Sequence, residues 1–338
     1  GKFIKKKNSV QTISYSQVFG NKMSELMERE KSVVVITAAM LSGTGIVNLQ
    51  TKYPDRVLDV GIAEGHAVTC SAGLATTGNK PYVAIYSTFL QRALDHIIHD
   101  VAVQKLPVRF MLDRAGFVGA DGPTHHGMFD LTYLRMIPNM TIMVPRNGAE
   151  LRCMIEFSFN YENGPLAIRY PRANTAELDE NQIPPLEFGK AQILRKGQNV
   201  ALFAVGTMVE KAEKVADLLE KHGVFASVIN ARFVKPIDED LVVELSRKAK
   251  LVVSLEENTI QGGFGSAMLE ILSKNKICNP TLQIGTPDRF IPQGSLEEQL
   301  NEAELNVEKI YGRVLENLPE VVKKIRKKRT MEQKKRAS

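Results

Sequence analysis

The chain has 338 residues, 43% of them apolar, and a formal net charge of +6 at pH 7. This length predicts about two domains, and the apolar fraction is ample for two buried cores. No window reaches the roughly 18 apolar residues of a membrane span, and no secretory signal precedes the first predicted helix. We therefore expect no membrane association.

Positive charge is concentrated at the two ends of the chain. Residues 1–13 contain four lysines and no acid, and residues 323–338 contain nine lysines and arginines against Glu332. Without these segments, which carry +4 and +8, residues 14–322 have a net charge of −6. The distribution predicts flexible basic ends on an acidic body, and we expect no nucleic-acid binding.

The cysteines also limit the class of protein. Cys70, Cys153 and Cys278 are odd in number, widely separated and set in apolar sequence. No metal-ligand spacing involves them. The pattern predicts reduced core thiols in a cytoplasmic protein.

Short apolar runs alternate with helical segments between Ser14 and Arg172. The runs lie at 33–36, 57–61, 81–86, 107–112, 141–144 and 166–169. Six buried strands separated by helices predict a mostly parallel sheet covered on both faces. Residues 14–172 are thus predicted to form a doubly wound α/β domain with a six-stranded sheet.

A polar segment at 173–186 contains a proline pair and predicts an interdomain linker. A smaller second α/β domain is predicted over residues 187–322. Its predicted strands are 191–194, 200–205, 226–229, 251–255 and 282–284. Its predicted helices are 208–222, 238–248 and 264–274.

Residues 59–66 read Asp-Val-Gly-Ile-Ala-Glu-Gly-His. Glu64 follows a buried strand and precedes a helix of small residues, a position at which α/β sheets bind ligands. A glutamate in the first turn of a helix is also favoured by the helix dipole, whatever its function. The functional hypothesis is that a largely buried carboxyl keeps or shares a proton near neutral pH.

The segment 86–95, Tyr-Ser-Thr-Phe-Leu-Gln-Arg-Ala-Leu-Asp, also passes from a strand into a helix. It is predicted to lie at the same carboxyl edge of the sheet. Phe89 can stack on a flat ring there, and Tyr86 and Arg92 can bond polar or phosphate groups. Taken alone, Phe89 is more often an ordinary core aromatic residue.

A long glycine-rich loop at 116–127 follows the next strand and predicts a functional segment. Asp121 and His125 in this loop can bind hydroxyl groups or relay protons. Arg114 and Arg172 follow two different strands and can bind a phosphate. Singly, these residues are better explained as a turn, a solvated histidine and a surface ion pair.

Two further patterns are weaker. Residues 261–265, Gln-Gly-Gly-Phe-Gly, resemble a phosphate cradle before a helix, but we favour tight strand-to-helix packing as their role. Ala120-Asp121-Gly122 with Asn147 mimics a Gly-Asp-Gly…Asn magnesium signature, but its first glycine is missing. We therefore predict no metal ligand in this chain.

Together, residues 59–68, 86–93, 113–125 and 169–172 closely resemble the 1-deoxy-D-xylulose 5-phosphate synthases of the transketolase group. The resemblance continues through residues 230–238, 256–258 and 284–294, and covers about 14–320. It implies a pyrimidine-binding domain followed by a transketolase C-terminal domain.

The resemblance implies thiamine diphosphate as cofactor. Glu64 would activate it by bonding the aminopyrimidine, Ile62 would be the apolar wedge that bends it, and Phe89 would be the platform beneath the pyrimidine. Mg²⁺ would bind in the family's amino-terminal domain, which this sequence does not contain.

The resemblance also implies a substrate pocket. It would be lined by Tyr86, Arg92, Asp121 and the catalytic His125, with Arg114 and Arg172 on the phosphate of glyceraldehyde 3-phosphate. Pyruvate would lose carbon dioxide and join this aldehyde to give 1-deoxy-D-xylulose 5-phosphate, which feeds isoprenoid, thiamine and pyridoxal synthesis. A homodimer is expected.

Two departures from the family pattern lead to alternatives. Gly65 stands where the family usually has glutamine, and we expect a looser turn beside Glu64. Because the amino-terminal domain is absent, we expect the chain alone to fold but to be inactive. The alternatives are a beta subunit of a 2-oxoacid dehydrogenase decarboxylase and a non-catalytic dimerisation module.

Overall fold

The computed structural model describes residues 12–176 and 179–320. Most of the two predicted basic ends, residues 1–11 and 323–338, therefore lies outside the described residues. Thr12 and Ile13, which the prediction placed in the first basic end, form part of a strand.

The first unit alternates strands and helices as predicted. Its strands are β1 (Thr12–Ser14), β2 (Val33–Thr37), β3 (Val57–Asp59), β4 (Lys80–Tyr86), β5 (Arg109–Asp113), β6 (Thr141–Met143), β7 (Leu166–Arg169) and β8 (Asn174–Ala176). Its α-helices are α1 (Tyr15–Arg29), α2 (Val47–Lys52), α3 (Glu64–Thr76), α4 (Ser87–Leu90), α5 (Leu94–His96), α6 (Asp130–Arg135) and α7 (Gly148–Asn160). Short 3₁₀ turns lie at Gln91–Ala93 and Gly119–Asp121, and a π-helical turn lies at Ile97–Ala102.

The second unit follows a 3₁₀ turn at Glu180–Gln182. Its strands are β9 (Gln192–Arg195), β10 (Val200–Ala204), β11 (Ala226–Asn230), β12 (Phe233–Lys235), β13 (Leu251–Thr259) and β14 (Thr281–Thr286). Its helices are α8 (Met208–Glu220), α9 (Glu239–Lys248), α10 (Phe264–Lys274), α11 (Leu296–Glu302) and α12 (Val307–Glu316).

Six strands of the first unit form a parallel sheet in the order β6-β7-β5-β4-β2-β3. This confirms the predicted six-stranded doubly wound domain. Successive residues of β2 face opposite sides: Val33 and Val35 join one core cluster, and Val34 and Ile36 join the other. Both faces of the sheet are therefore buried, which explains the nearly continuous apolar strands.

The second unit contributes a seventh strand to this sheet. β12 pairs antiparallel with β6, with Phe233 opposite Met143. The side chain of Phe233 is completely buried in the first unit's core cluster. The two units thus share a sheet as well as a packed interface.

The remaining strands of the second unit form a five-stranded sheet in the order β14-β13-β10-β11-β9. β9 runs antiparallel to β11, and the other pairs are parallel. Phe203 and Ile229 extend from this sheet into the core cluster that also contains Val144 of the first unit. This confirms the predicted second α/β unit.

Two local expectations need correction or qualification. Cys278 is exposed and so is not a core thiol, whereas Cys70 and Cys153 are partly buried. Residues 174–176 of the predicted linker form β8, which pairs with β1. Within the described ranges, no helix has the length and apolar character needed to cross a bilayer.

Candidate functional site

The predicted site residues follow neighbouring strands at one edge of the first sheet. Tyr86 at the end of β4 is in register with Asp113 at the end of β5, and Leu112 is in register with Arg169 of β7. Because these strands are parallel and end at similar levels, the segments after them meet at one edge. Arg114 and Arg172 both lie on such segments.

Glu64 is the first residue of α3 and is only 2% exposed. Its carboxylate oxygen Oε2 accepts a hydrogen bond of 3.2 Å from Nη1 of Arg92. The Arg92 side chain is 65% exposed, so it covers the carboxyl from the solvent side. The carboxyl of Glu64 thus lies at the amino end of a helix, with the Arg92 guanidinium as its hydrogen-bond partner.

An aromatic group lies on the turn from β4 into α4, a few residues before Arg92. The rings of Tyr86 and Phe89 stack, with centroids 5.7 Å apart and planes inclined by 16°. His125 meets the Phe89 ring edge-on at 5.4 Å. Thr88 donates to the carbonyl of Thr124 at 3.0 Å, so the glycine-rich loop is fixed to α4 next to His125.

Arg114 contacts the ring of Tyr86 and is fixed by hydrogen bonds to its neighbours. Its guanidinium carbon lies 4.0 Å from the Tyr86 ring centroid, and its Nη1 donates to Oδ1 of Asp113 at 2.9 Å and to the carbonyl of Gly43. Ser16 donates to the other carboxylate oxygen of Asp113 at 2.7 Å. Burial raises the pKa of Asp113, while Arg114 acts in the opposite direction.

Arg114 and Arg172 line one open cavity of about 630 Å³, together with Ser16 and Gly43. Arg172 forms an ion pair with Asp121 and donates to the carbonyl of Val118 at 3.2 Å. The two arginines predicted to bind phosphate therefore do reach the same space.

Asp121 and Asn147, the residues of the incomplete magnesium signature, are engaged separately. Asp121 pairs with Arg172. Asn147 caps α7 by accepting a hydrogen bond of 2.9 Å from the backbone N–H of Glu150. Among the residues that the structure describes, no cluster of three or more His, Cys, Asp or Glu side chains is arranged to hold a metal.

The possible phosphate cradle at 261–265 is already filled by a side chain. Glu256 accepts hydrogen bonds from the backbone N–H groups of Phe264 at 2.7 Å and of Gly265 at 2.8 Å. Burial raises the pKa of Glu256 to about 7, although both N–H groups favour its charged form. Sequence reasoning missed this glutamate, whose only signal is its position at a strand's carboxyl end before a glycine-rich helix start.

Ile62 lies two residues before Glu64 but, unlike it, is exposed. It is in the turn between β3 and α3, and its side chain is 78% exposed. Within this chain it therefore packs against no core, and its role as an apolar wedge stays a prediction.

Family models match both units: "Transketolase, pyrimidine binding domain" over residues 11–177 and "Transketolase, C-terminal domain" over residues 189–310. A solved structure titled "Split gene transketolase, inactive beta4 tetramer" is 30% identical, with a TM-score of 0.81, and the match covers 91% of this chain and 98% of that chain. The chain belongs to the transketolase family. Transketolase from Campylobacter jejuni shares the fold at a TM-score of 0.75 and 19% identity, over 93% of this chain and 48% of that one.

Within the transketolase family, the curated relatives it resembles include 1-deoxy-D-xylulose-5-phosphate synthases. The one from Caldanaerobacter subterraneus is 48% identical, over 91% of this chain and 49% of the relative. The one from Thermosynechococcus vestitus is 52% identical, over 84% of this chain and 45% of the relative. The chain thus spans about half the length of these synthases.

Proposed function

We propose that this chain supplies the pyrimidine-binding and C-terminal part of a thiamine-diphosphate-dependent 1-deoxy-D-xylulose 5-phosphate synthase. The observation that carries the proposal is the buried Glu64 at the start of α3, at the sheet edge that also presents Phe89, Arg114 and Arg172. Identity of 48% and 52% to two such synthases supports it. The substrates would be pyruvate and glyceraldehyde 3-phosphate, used by a cytoplasmic homodimer.

The side chains at this edge fit an aminopyrimidine. Glu64 offers a buried carboxyl for a ring nitrogen, and Arg92 fixes the position of that carboxyl through Oε2. Phe89 offers a partly buried ring that is itself supported by Tyr86 and His125. When bound, thiamine diphosphate supplies a nucleophilic thiazolium carbon for decarboxylating pyruvate. Glu64 would hold and return the proton that this chemistry moves on the aminopyrimidine.

The arginines fit a phosphorylated aldehyde. Asp113 orients the guanidinium of Arg114, and Asp121 orients that of Arg172, so both cations are fixed beside the cavity before a ligand binds. Charge-assisted bonds from two arginines suit a phosphate. His125, whose ring meets Phe89, would donate to the carbonyl groups of the substrates and would donate to or accept from their hydroxyl groups.

The diphosphate and Mg²⁺ would bind to the half of the synthases that the match does not cover. A carboxyl and a stacking ring are worth about 2–4 kcal/mol together. That gain is offset by an association cost of at least about 4 kcal/mol. The chain alone would accordingly bind the cofactor negligibly and be inactive.

A second organisation is favoured by one observation. The match covers 98% of a chain described as a split-gene transketolase in an inactive beta4 tetramer. In this organisation the chain is a separate subunit that needs a second polypeptide, as in the beta subunit of a 2-oxoacid dehydrogenase decarboxylase. The role of Glu64 is the same in both, and product formation that depends on glyceraldehyde 3-phosphate distinguishes a synthase from such a decarboxylase.

The test is reconstitution. The chain is mixed with the unmatched half of the Caldanaerobacter synthase, and carbon dioxide and 1-deoxy-D-xylulose 5-phosphate are measured with pyruvate, glyceraldehyde 3-phosphate, thiamine diphosphate and Mg²⁺. Activity should appear only in the mixture, and Glu64→Gln should lower it by about 10²–10⁴-fold. A mixture that co-purifies and binds the cofactor but is inactive with Glu64 intact would contradict the proposal.

A further inference from the structure

Gly65 is the second residue of α3, and its backbone conformation does not require a glycine. It lies within a helix and is not among the glycines of positive φ. Glycine is a poor helix former, so a larger residue would be expected there. An ideal Cβ at this position would lie 2.7 Å from Cε1, 2.9 Å from Nε2 and 3.2 Å from Nδ1 of His96. The imidazole therefore occupies the space of the missing side chain.

The same helical segment contacts both Glu64 and Gly65. Arg92 lies on the 3₁₀ turn Gln91–Ala93 and His96 at the end of α5, four residues later. Arg92 donates to the carboxylate of Glu64, and His96 covers Gly65. Asp95 lies beside the ring, with Oδ1 2.7 Å from Nδ1 of His96. Two successive residues of α3 are thus held by two side chains four residues apart.

We propose that His96 is a positioning residue for Glu64. Its imidazole replaces a side chain at position 65 and fixes the first turn of α3, so that the carboxyl keeps its place under Arg92. The turn is consequently packed, not loosened by the glycine. The placement of Glu64 by His96 depends only on contacts within this chain. The effect of that placement on catalysis rests on the function proposed above.

The packing is tested by thermal unfolding of the full chain. Gly73 is the matched control because it lies in the same helix and a Cβ there would meet nothing within 4 Å. Gly73→Ala should raise the melting temperature by about 1–2 °C, since alanine favours helix. Gly65→Ala should lower the melting temperature, because the new Cβ would clash with His96. In a His96→Ala background, where the imidazole is gone, Gly65→Ala should raise the melting temperature. An increase for Gly65→Ala in both backgrounds would overturn the proposal.

The positioning role is tested in the reconstituted enzyme by deuterium exchange at the thiazolium C2 of bound thiamine diphosphate. Gly65→Gln should slow exchange at least tenfold, and adding His96→Ala should restore most of the rate because glutamine then fills the imidazole's space. Exchange that depends on Glu64 but is unchanged by Gly65→Gln would overturn the positioning role alone. Exchange that survives Glu64→Gln would overturn the proposed function, and the positioning role with it.

Discussion

Glu256 should make the protein less stable as the pH rises from about 4.5 to about 7. Its carboxyl is fully buried at the start of α10, and burial raises its pKa from 4.5 to about 7. Between these values the folded protein holds a proton that the unfolded chain has released, so unfolding becomes easier as pH increases. A shift of this size corresponds to about 3 kcal/mol of unfolding free energy.

Glu256→Gln isolates this contribution, because an amide resembles the protonated acid and does not titrate. The free energy of urea unfolding is measured by far-ultraviolet circular dichroism at pH 4.5 and pH 8, since the sequence contains no tryptophan. The unfolding free energy of the wild type, relative to that of the variant, should fall by about 3 kcal/mol between pH 4.5 and pH 8. A difference that stays constant with pH would refute the reasoning.

Glu270 provides a control of opposite sign. Its exposed carboxyl pairs with Arg135, which holds the pKa of Glu270 below its usual value. Its contribution is therefore present above the ordinary glutamate pKa and is lost as pH falls. Glu270→Gln should remove a small stabilisation at pH 8 and none at low pH.

Three further predictions concern the site. Arg172→Ala should weaken binding of glyceraldehyde 3-phosphate at least tenfold more than binding of glyceraldehyde in steady-state kinetics of the reconstituted enzyme; equal losses would make the arginine structural. Gly43→Ala should destabilise the chain by about 1–3 kcal/mol, because the new Cβ would lie 1.6 Å from the Tyr86 hydroxyl; Tyr86→Phe should recover part of this loss on thermal unfolding. Calorimetric titration of the chain alone with thiamine diphosphate and Mg²⁺ should show no micromolar binding, and such binding would implicate Asp121 as a ligand.

Sequence periodicity predicted the parallel strands because both faces of each are buried, which leaves runs such as Val33–Thr37 almost purely apolar. It did not predict β12, because three residues next to a cis Lys235-Pro236 bond carry no recognisable strand period. It also missed α11, in which only Leu296 and Leu300 are apolar. It missed α12 as well, although apolar residues at 307, 310, 311, 314 and 315 follow a helical period there. Short or polar elements depend on distant partners that no local pattern records.

The site was predictable to the extent that motifs follow strand ends. Tyr86, Arg114 and Arg172 follow parallel strands that end at one edge, and Glu64 is linked to the segment after β4 through Arg92. The partners could not be predicted, since pairings such as Arg92 with Glu64 join segments 28 positions apart. Filling of the cradle at 261–265 by Glu256 depends likewise on how β13 and α10 pack, not on the glycines themselves.

The strand β12 limits how this chain can be divided. Cutting within residues 173–186 would leave the first unit with an unpaired β6 edge and an empty space where Phe233 was buried. An exposed edge strand beside an apolar gap promotes aggregation. Gene fusions or recombination that separate the two units at their apparent junction should therefore fail, and the portable module is the pair of units together.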